Sequence, residues 1–136
     1  MAGAEHRIRL RGGWECHYRE GDDEEAPEVL RRVDLPTASV RDLPPRCRLT
    51  RQFGRPPVDP RNEDVWLEMR NVPGLTSARL NGRSIRPDEP GGPDWTIALP
   101  EILLPRNGLV LEVERQDQTE NDRSPWGEIA LVIRRR

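Results

Sequence analysis

Lysine is absent from this sequence, and all 22 basic side chains are arginine. Arginine grips carboxylates and phosphates through a two-pronged fork, so the bias would suit anion recognition. The 14 prolines and 11 glycines point instead to GC-rich coding as its source. Long apolar runs are missing too. The opening MAGAEHRIRLRGG has no signal-peptide core, and no segment is long enough to span a bilayer. The expectation is a cytoplasmic protein with no membrane partner. There are only two cysteines, Cys16 and Cys47, and two histidines, His6 and His17. No C-x-x-C or H-x-x-x-H spacing occurs, so neither a zinc site nor another cofactor is expected. In a reducing compartment the cysteines read as free thiols. A net charge of −2 leaves no basic footprint for nucleic acid. Long helices are unexpected with so many prolines.

What the sequence does contain is short-range alternation. Val65, Leu67 and Met69 alternate with Trp66, Glu68 and Arg70, the period of a strand with one face buried. After Pro73-Gly74, Ala78 and Leu80 resume the pattern. Asn81-Gly82 is a hairpin signal, because both residues tolerate the positive φ of a type I′ turn. Similar runs occur at His6 to Arg11, Trp14 to Arg19, Glu28 to Pro36, Arg46 to Gly54, Asp94 to Leu99, Leu109 to Arg115 and Trp126 to Arg134. The first two are expected to pair as a hairpin. Arg106-Asn107-Gly108 reads as a turn and Glu101 to Leu104 as one helical turn. Around nine strands, spaced by proline and glycine turns, predict one all-β domain over residues 1–136: an antiparallel two-sheet β-sandwich of jelly-roll type.

Chemistry is harder to find. Glycosidases need two positioned carboxylates, and chance pairs are unavoidable among 24 acidic residues. No G-x-S-x-G, phosphate loop or H-E-x-x-H occurs. The acidic GDDEEAP after Glu20 could suit calcium, but unspaced acids read better as a solvated loop. The terminal Arg134-Arg135-Arg136 reads as a solvated end. Arg51 falls in a core register with Cys47, Leu49 and Phe53. That requires either a bulge or a carboxylate partner. Trp14 and Trp95 fall on core faces. Trp66 points away from the core, where it could be a ligand platform, a protein anchor or a ring covered by its own chain. Trp126 could line a loop-end cleft or pack at the core. Trp66 and Trp126 are therefore the candidate ligand or interface residues.

The order of these pieces resembles the N-terminal sugar-binding domain of glycoside hydrolases of the β-galactosidase and β-glucuronidase type. The resemblance rests on Gly13-Trp14, Leu49 to Phe53 with Pro56, Val65-Trp66-Leu67 with Gly74, and Ala78 to Gly82. It continues through Asp94 to Thr96, Arg106-Asn107, Leu109 to Val113, and Trp126-Gly127-Glu128-Ile129. It implies a galactose-binding-like jelly roll and carbohydrate as the ligand class. The catalytic carboxylates of that family lie in a barrel absent here, so no catalytic residue carries over. The leading expectation is a non-catalytic binding module for carbohydrate. The alternatives are a structural or interaction protein that docks a partner protein through an outer sheet face, and an enzyme with an unrecognised site.

Overall fold

The computed structural model describes residues 5–21, 25–87, 92–99, 103–115 and 124–136. The acidic tip at 22–24, residues 101–102 of the expected helical turn at 101–104, and the polar stretch 116–123 lie outside the described residues. Ten strands follow in order: β1 (His6–Arg9), β2 (Trp14–Arg19), β3 (Glu28–Val33), β4 (Arg46–Gly54), β5 (Glu63–Arg70), β6 (Leu75–Leu80), β7 (Arg83–Ile85), β8 (Trp95–Ala98), β9 (Arg106–Glu114) and β10 (Glu128–Arg135). They form two antiparallel sheets, one in the order β1-β10-β5-β8 and one in the order β3-β2-β4-β9-β6-β7. The expected all-β, two-sheet antiparallel sandwich is what the chain forms.

Alternation explains the core. Across the six-stranded sheet one continuous inward row runs Cys16, Leu49, Leu111, Ala78, Ile85. Across the four-stranded sheet the matching row is Ile8, Leu131, Leu67, Ile97. Trp14 and Trp126 are fully buried among these rows. The Trp14 indole keeps its polar edge satisfied by donating to the carbonyl of Leu10 at 2.8 Å. Cys16 and Cys47 are buried and unlinked.

Several local expectations change. β1 and β2 do not form a hairpin: β1 pairs with β10, while β2 pairs with β3 and β4 in the other sheet. β5 and β6 likewise belong to opposite sheets, so the Pro73-Gly74 turn carries the chain across the sandwich. Asn81 and Gly82 have φ of 53° and 84°, the I′ geometry expected between β6 and β7. Asn107-Gly108, the same dipeptide, lies inside β9 instead. Its Asn107 is buried. The side chain accepts from Leu104 N and from Asn81 Nδ2, both at 2.9 Å, and donates to the Leu104 carbonyl at 2.9 Å. Those bonds hold the residue in the strand. Among the described residues Arg51 uses neither a bulge nor a carboxylate. Its guanidinium caps the carbonyls of Gly12 at 2.6 Å and Gln52 at 2.8 Å, and burial lowers its pKa. The terminal arginines are not a loose end: Arg134 and Arg135 belong to β10, and Arg136 is tied to Asn62 and Asp64.

Gly74 makes the crossing turn feasible. Its φ is +82°, and a Cβ there would stand 2.6 Å from Arg115 Cγ and 3.1 Å from the Glu114 carbonyl oxygen. Gly74→Ala is expected to destabilise the fold by about 2 kcal/mol, from left-handed strain and the clash together. A lowered urea midpoint with unchanged slope would show it.

Candidate functional site

Two surfaces carry enough chemistry to compare. The first is the outer face of the four-stranded sheet, where Trp66 lies. Its outward rows run Arg7, Val132, Trp66, Ala98 and Arg9, Ala130, Glu68, Thr96. Trp66 does face away from the core, and it is half-buried. The Arg134 guanidinium lies over its ring, 5.7 Å from the centroid.

Beside that pair, Glu68 is only 6% exposed although it points outward. Arg7 donates to its two oxygens at 3.0 and 3.3 Å, Arg70 approaches within 2.6 Å and Arg134 within 3.9 Å. Burial works to raise the Glu68 pKa. The Arg7 hydrogen bond and the three guanidinium charges outweigh it and hold the carboxyl below its usual range. Arg7 is correspondingly pushed up, chiefly by its bond to Glu68. Val132 and Ala130, on the same outer face, are as buried as core residues. Ion pairs of Glu68 with Arg7, Arg70 and Arg134 run across this face.

Trp126, the other candidate, is fully buried. It donates its indole N–H to the Pro73 carbonyl at 2.9 Å. It therefore lines no cleft, because a ring enclosed on both faces has no surface for a ligand.

The second surface is a cleft of about 640 Å³ at one end of the six-stranded sheet, within the size range of small-molecule sites. It forms where β2, β4 and β9 run out. His17, Tyr18, Glu28, Arg46, Arg48 and Glu112 are among its walls. An outward row brings His17, Arg48 and Glu112 side by side across three strands. Glu28 accepts from Arg48 at 3.2 Å and lies 3.0 Å from His17 Nδ1. Arg46 pairs with Glu114 at 3.0 Å. Tyr18 is half-buried, with Arg31 stacked 5.5 Å from its ring centroid. Four arginines and three glutamates line the cleft, so donors and acceptors are both plentiful and nearly balanced in charge.

His17 also lies 3.3 Å from the Thr50 hydroxyl, completing a hydroxyl–imidazole–carboxylate series with Glu28. That is the order of groups in a nucleophile triad. Thr50, however, stands in mid-strand, paired to Glu15 on one side and Val110 on the other. The strand ladder engages the backbone on both sides of Thr50. Among the described residues, no group of three His, Cys, Asp or Glu is placed to hold a metal ion. No helix among them is long and apolar enough to cross a membrane. The sequence does not single out the cleft because its residues come from four separate strands and most read alone as ordinary exposed polar positions.

The fold belongs to a class of sandwich that recurs within glycosidases. It matches the FMN-binding β-glucuronidase of F. prausnitzii L2-6 with a TM-score of 0.71 and 17% identity, over 95% of this chain and 22% of that one. It matches a β-glucuronidase of Ruminococcus gnavus, solved with D-glucuronic acid, with a TM-score of 0.63 and 15% identity, over 96% of this chain and 30% of that one. A GH2 β-galacturonidase of Eisenbergiella tayi bound to galacturonate gives a TM-score of 0.63 and 13% identity, over 98% of this chain and 25% of that one. The chain thus spans under a third of the length of these enzymes. The expected likeness to glycoside hydrolases of this type holds at the level of the fold. No protein-family model matches the sequence, and no curated protein matches it significantly.

Proposed function

We propose that this chain is a non-catalytic binding module that takes a saccharide in the cleft at the end of β2, β4 and β9. The observation that carries this reading is the cleft's composition. One aromatic wall, Tyr18, stands among interleaved arginines and glutamates with nearly balanced charge. Sugar hydroxyls donate and accept at once, and such a lining meets both needs. An aromatic side chain offers apolar surface to the C–H face of a sugar ring. A polyanion would favour a lining of one sign. The fold's recurrence in enzymes that act on sugars supports the same ligand class.

Isothermal titration against a panel of mono- and oligosaccharides tests the proposal. One sugar at least is expected to bind the wild type. Arg48→Ala is expected to weaken that binding about tenfold, through one lost charge-assisted hydrogen bond, whereas Trp66→Ala leaves it unchanged. Loss on Trp66→Ala with retention on Arg48→Ala would move the site to the outer face of the other sheet. The absence of any saccharide response would overturn the module reading and favour partner docking.

A further inference from the structure

The six-stranded sheet ends at β3, and the edge beyond it is bare among the described residues. The backbone pairing of Glu28–Val33 runs to β2 alone. An edge strand of this kind offers a row of unpaired donors and acceptors to another strand. The side chains that share its outer face are Glu28, Leu30 and Arg32, opposite Arg19, His17 and Glu15 of β2. Leu30 is 56% exposed; the other large apolar side chain exposed among the described residues, Leu104, lies outside the strands.

We propose that β3 is a homotypic docking edge, on which a second copy of this chain adds its own β3 in antiparallel fashion about a two-fold axis at Leu30. The strand EVLRRV is self-complementary in that register. Leu30 meets Leu30, so the exposed apolar side chain is covered by its own equivalent. Glu28 of each copy meets Arg32 of the other, so both ends of the interface carry opposite charges face to face. Both Glu28 bonds within the chain, to His17 and Arg48, use one oxygen, Oε1, and Arg32 makes no ion pair among the described residues.

Competing registers are worse. Parallel pairing sets Glu28 on Glu28 and Arg32 on Arg32. An antiparallel slip centred on Arg31 sets two guanidiniums on the axis. A one-residue slip sends the outer face inward. Charge complementarity therefore selects both the partner and the register, and the interface is isologous and closed at two copies.

Sedimentation equilibrium over a concentration series, up to millimolar protein, provides the test. The wild type is expected to approach twice the monomer mass of 15.7 kDa. Arg32→Glu turns two attractive pairs into two repulsive ones and is expected to weaken the dimer about tenfold. Leu30→Glu sets like charges on the axis and must weaken it as well. Neither residue lines the saccharide cleft, so a failure here and a failure of the binding reading remain separate. Mixing Arg32→Glu with Glu28→Arg in equal amounts is expected to restore dimers, because Glu then meets Arg at both ends of the mixed pair. A wild type that stays monomeric throughout overturns the proposal. So does an Arg32→Glu or Leu30→Glu variant that dimerises as the wild type does. If Glu28→Arg fails to fold, since it removes the carboxylate shared by His17 and Arg48, the two solvent-facing variants decide the question alone.

Discussion

Replacing Glu68 by alanine is expected to destabilise the protein by about 3 kcal/mol, the low end of the range for stripping one partner from a buried ion pair. The carboxylate is almost wholly enclosed, and it is the shared acceptor for Arg7, Arg70 and Arg134. Removing it leaves three guanidiniums crowded over one strand. The low end applies because Arg7, Arg70 and Arg134 keep side-chain exposures of 26%, 55% and 43% and can rehydrate in part. Glu68→Gln keeps the volume and one acceptor and is expected to cost about half as much.

The pH dependence follows from the direction of the shift. The folded pKa of Glu68 lies below the ordinary value of 4.5. Its contribution is therefore complete above that value and disappears as pH falls through the lower, folded one. Urea midpoints of wild type and Glu68→Gln should differ at about pH 7 and converge as the pH falls below the folded pKa of Glu68. A gap that persists in acid would mean that Glu68 acts through packing and not through its charge.

Much of the architecture was legible because alternation reports which face of a strand is buried. Alternation gives the inward residues of β5, β9 and β10, and Asn81-Gly82 gives its own turn. Alternation does not report which strand lies alongside. For that reason adjacent runs suggest a β1–β2 hairpin although the two strands belong to opposite sheets, and β5 and β6 likewise cross the sandwich. Asn107-Gly108 shows a second limit. The same dipeptide makes a turn at 81–82 and a strand at 107–108, and the difference lies in tertiary hydrogen bonds from Leu104 and Asn81 that no local pattern encodes.

The site was the least legible part. Alternation puts Trp66 on the outer face, but the Arg134 over its ring comes from β10, 68 positions later. Glu68 looks like an ordinary solvent-facing position until Arg7 and Arg134 are brought over it from two other strands. The cleft is assembled from segments near positions 18, 46 and 114, whose convergence only the sheet order reveals.

Trp126→Ala is expected to cost about 4 kcal/mol, which is large against a total stability on the order of 5–15 kcal/mol for a domain. Two contributions add. The ring is fully enclosed, so truncation leaves a cavity that its neighbours fill only in part. The residue is also a junction. Its indole N–H donates to Pro73 in the turn that crosses between sheets, and its backbone exchanges bonds with Thr37, donating to the hydroxyl at 3.3 Å and accepting from the backbone N–H at 2.9 Å. Next to it, Gly127 donates to the Asn71 carbonyl at 2.9 Å. The ring thereby fastens the β5–β6 crossing to the start of β10, while the backbone bonds to Thr37 and Asn71 survive truncation. Trp126→Phe separates the two contributions. It retains most of the buried surface and leaves the Pro73 carbonyl without its donor, for an expected loss of about 1–2 kcal/mol. Thermal and urea unfolding of both variants measure this directly, and saccharide titration of the folded fraction should be unchanged. An alanine variant with wild-type stability and impaired binding would reverse the assignment and return Trp126 to the ligand site.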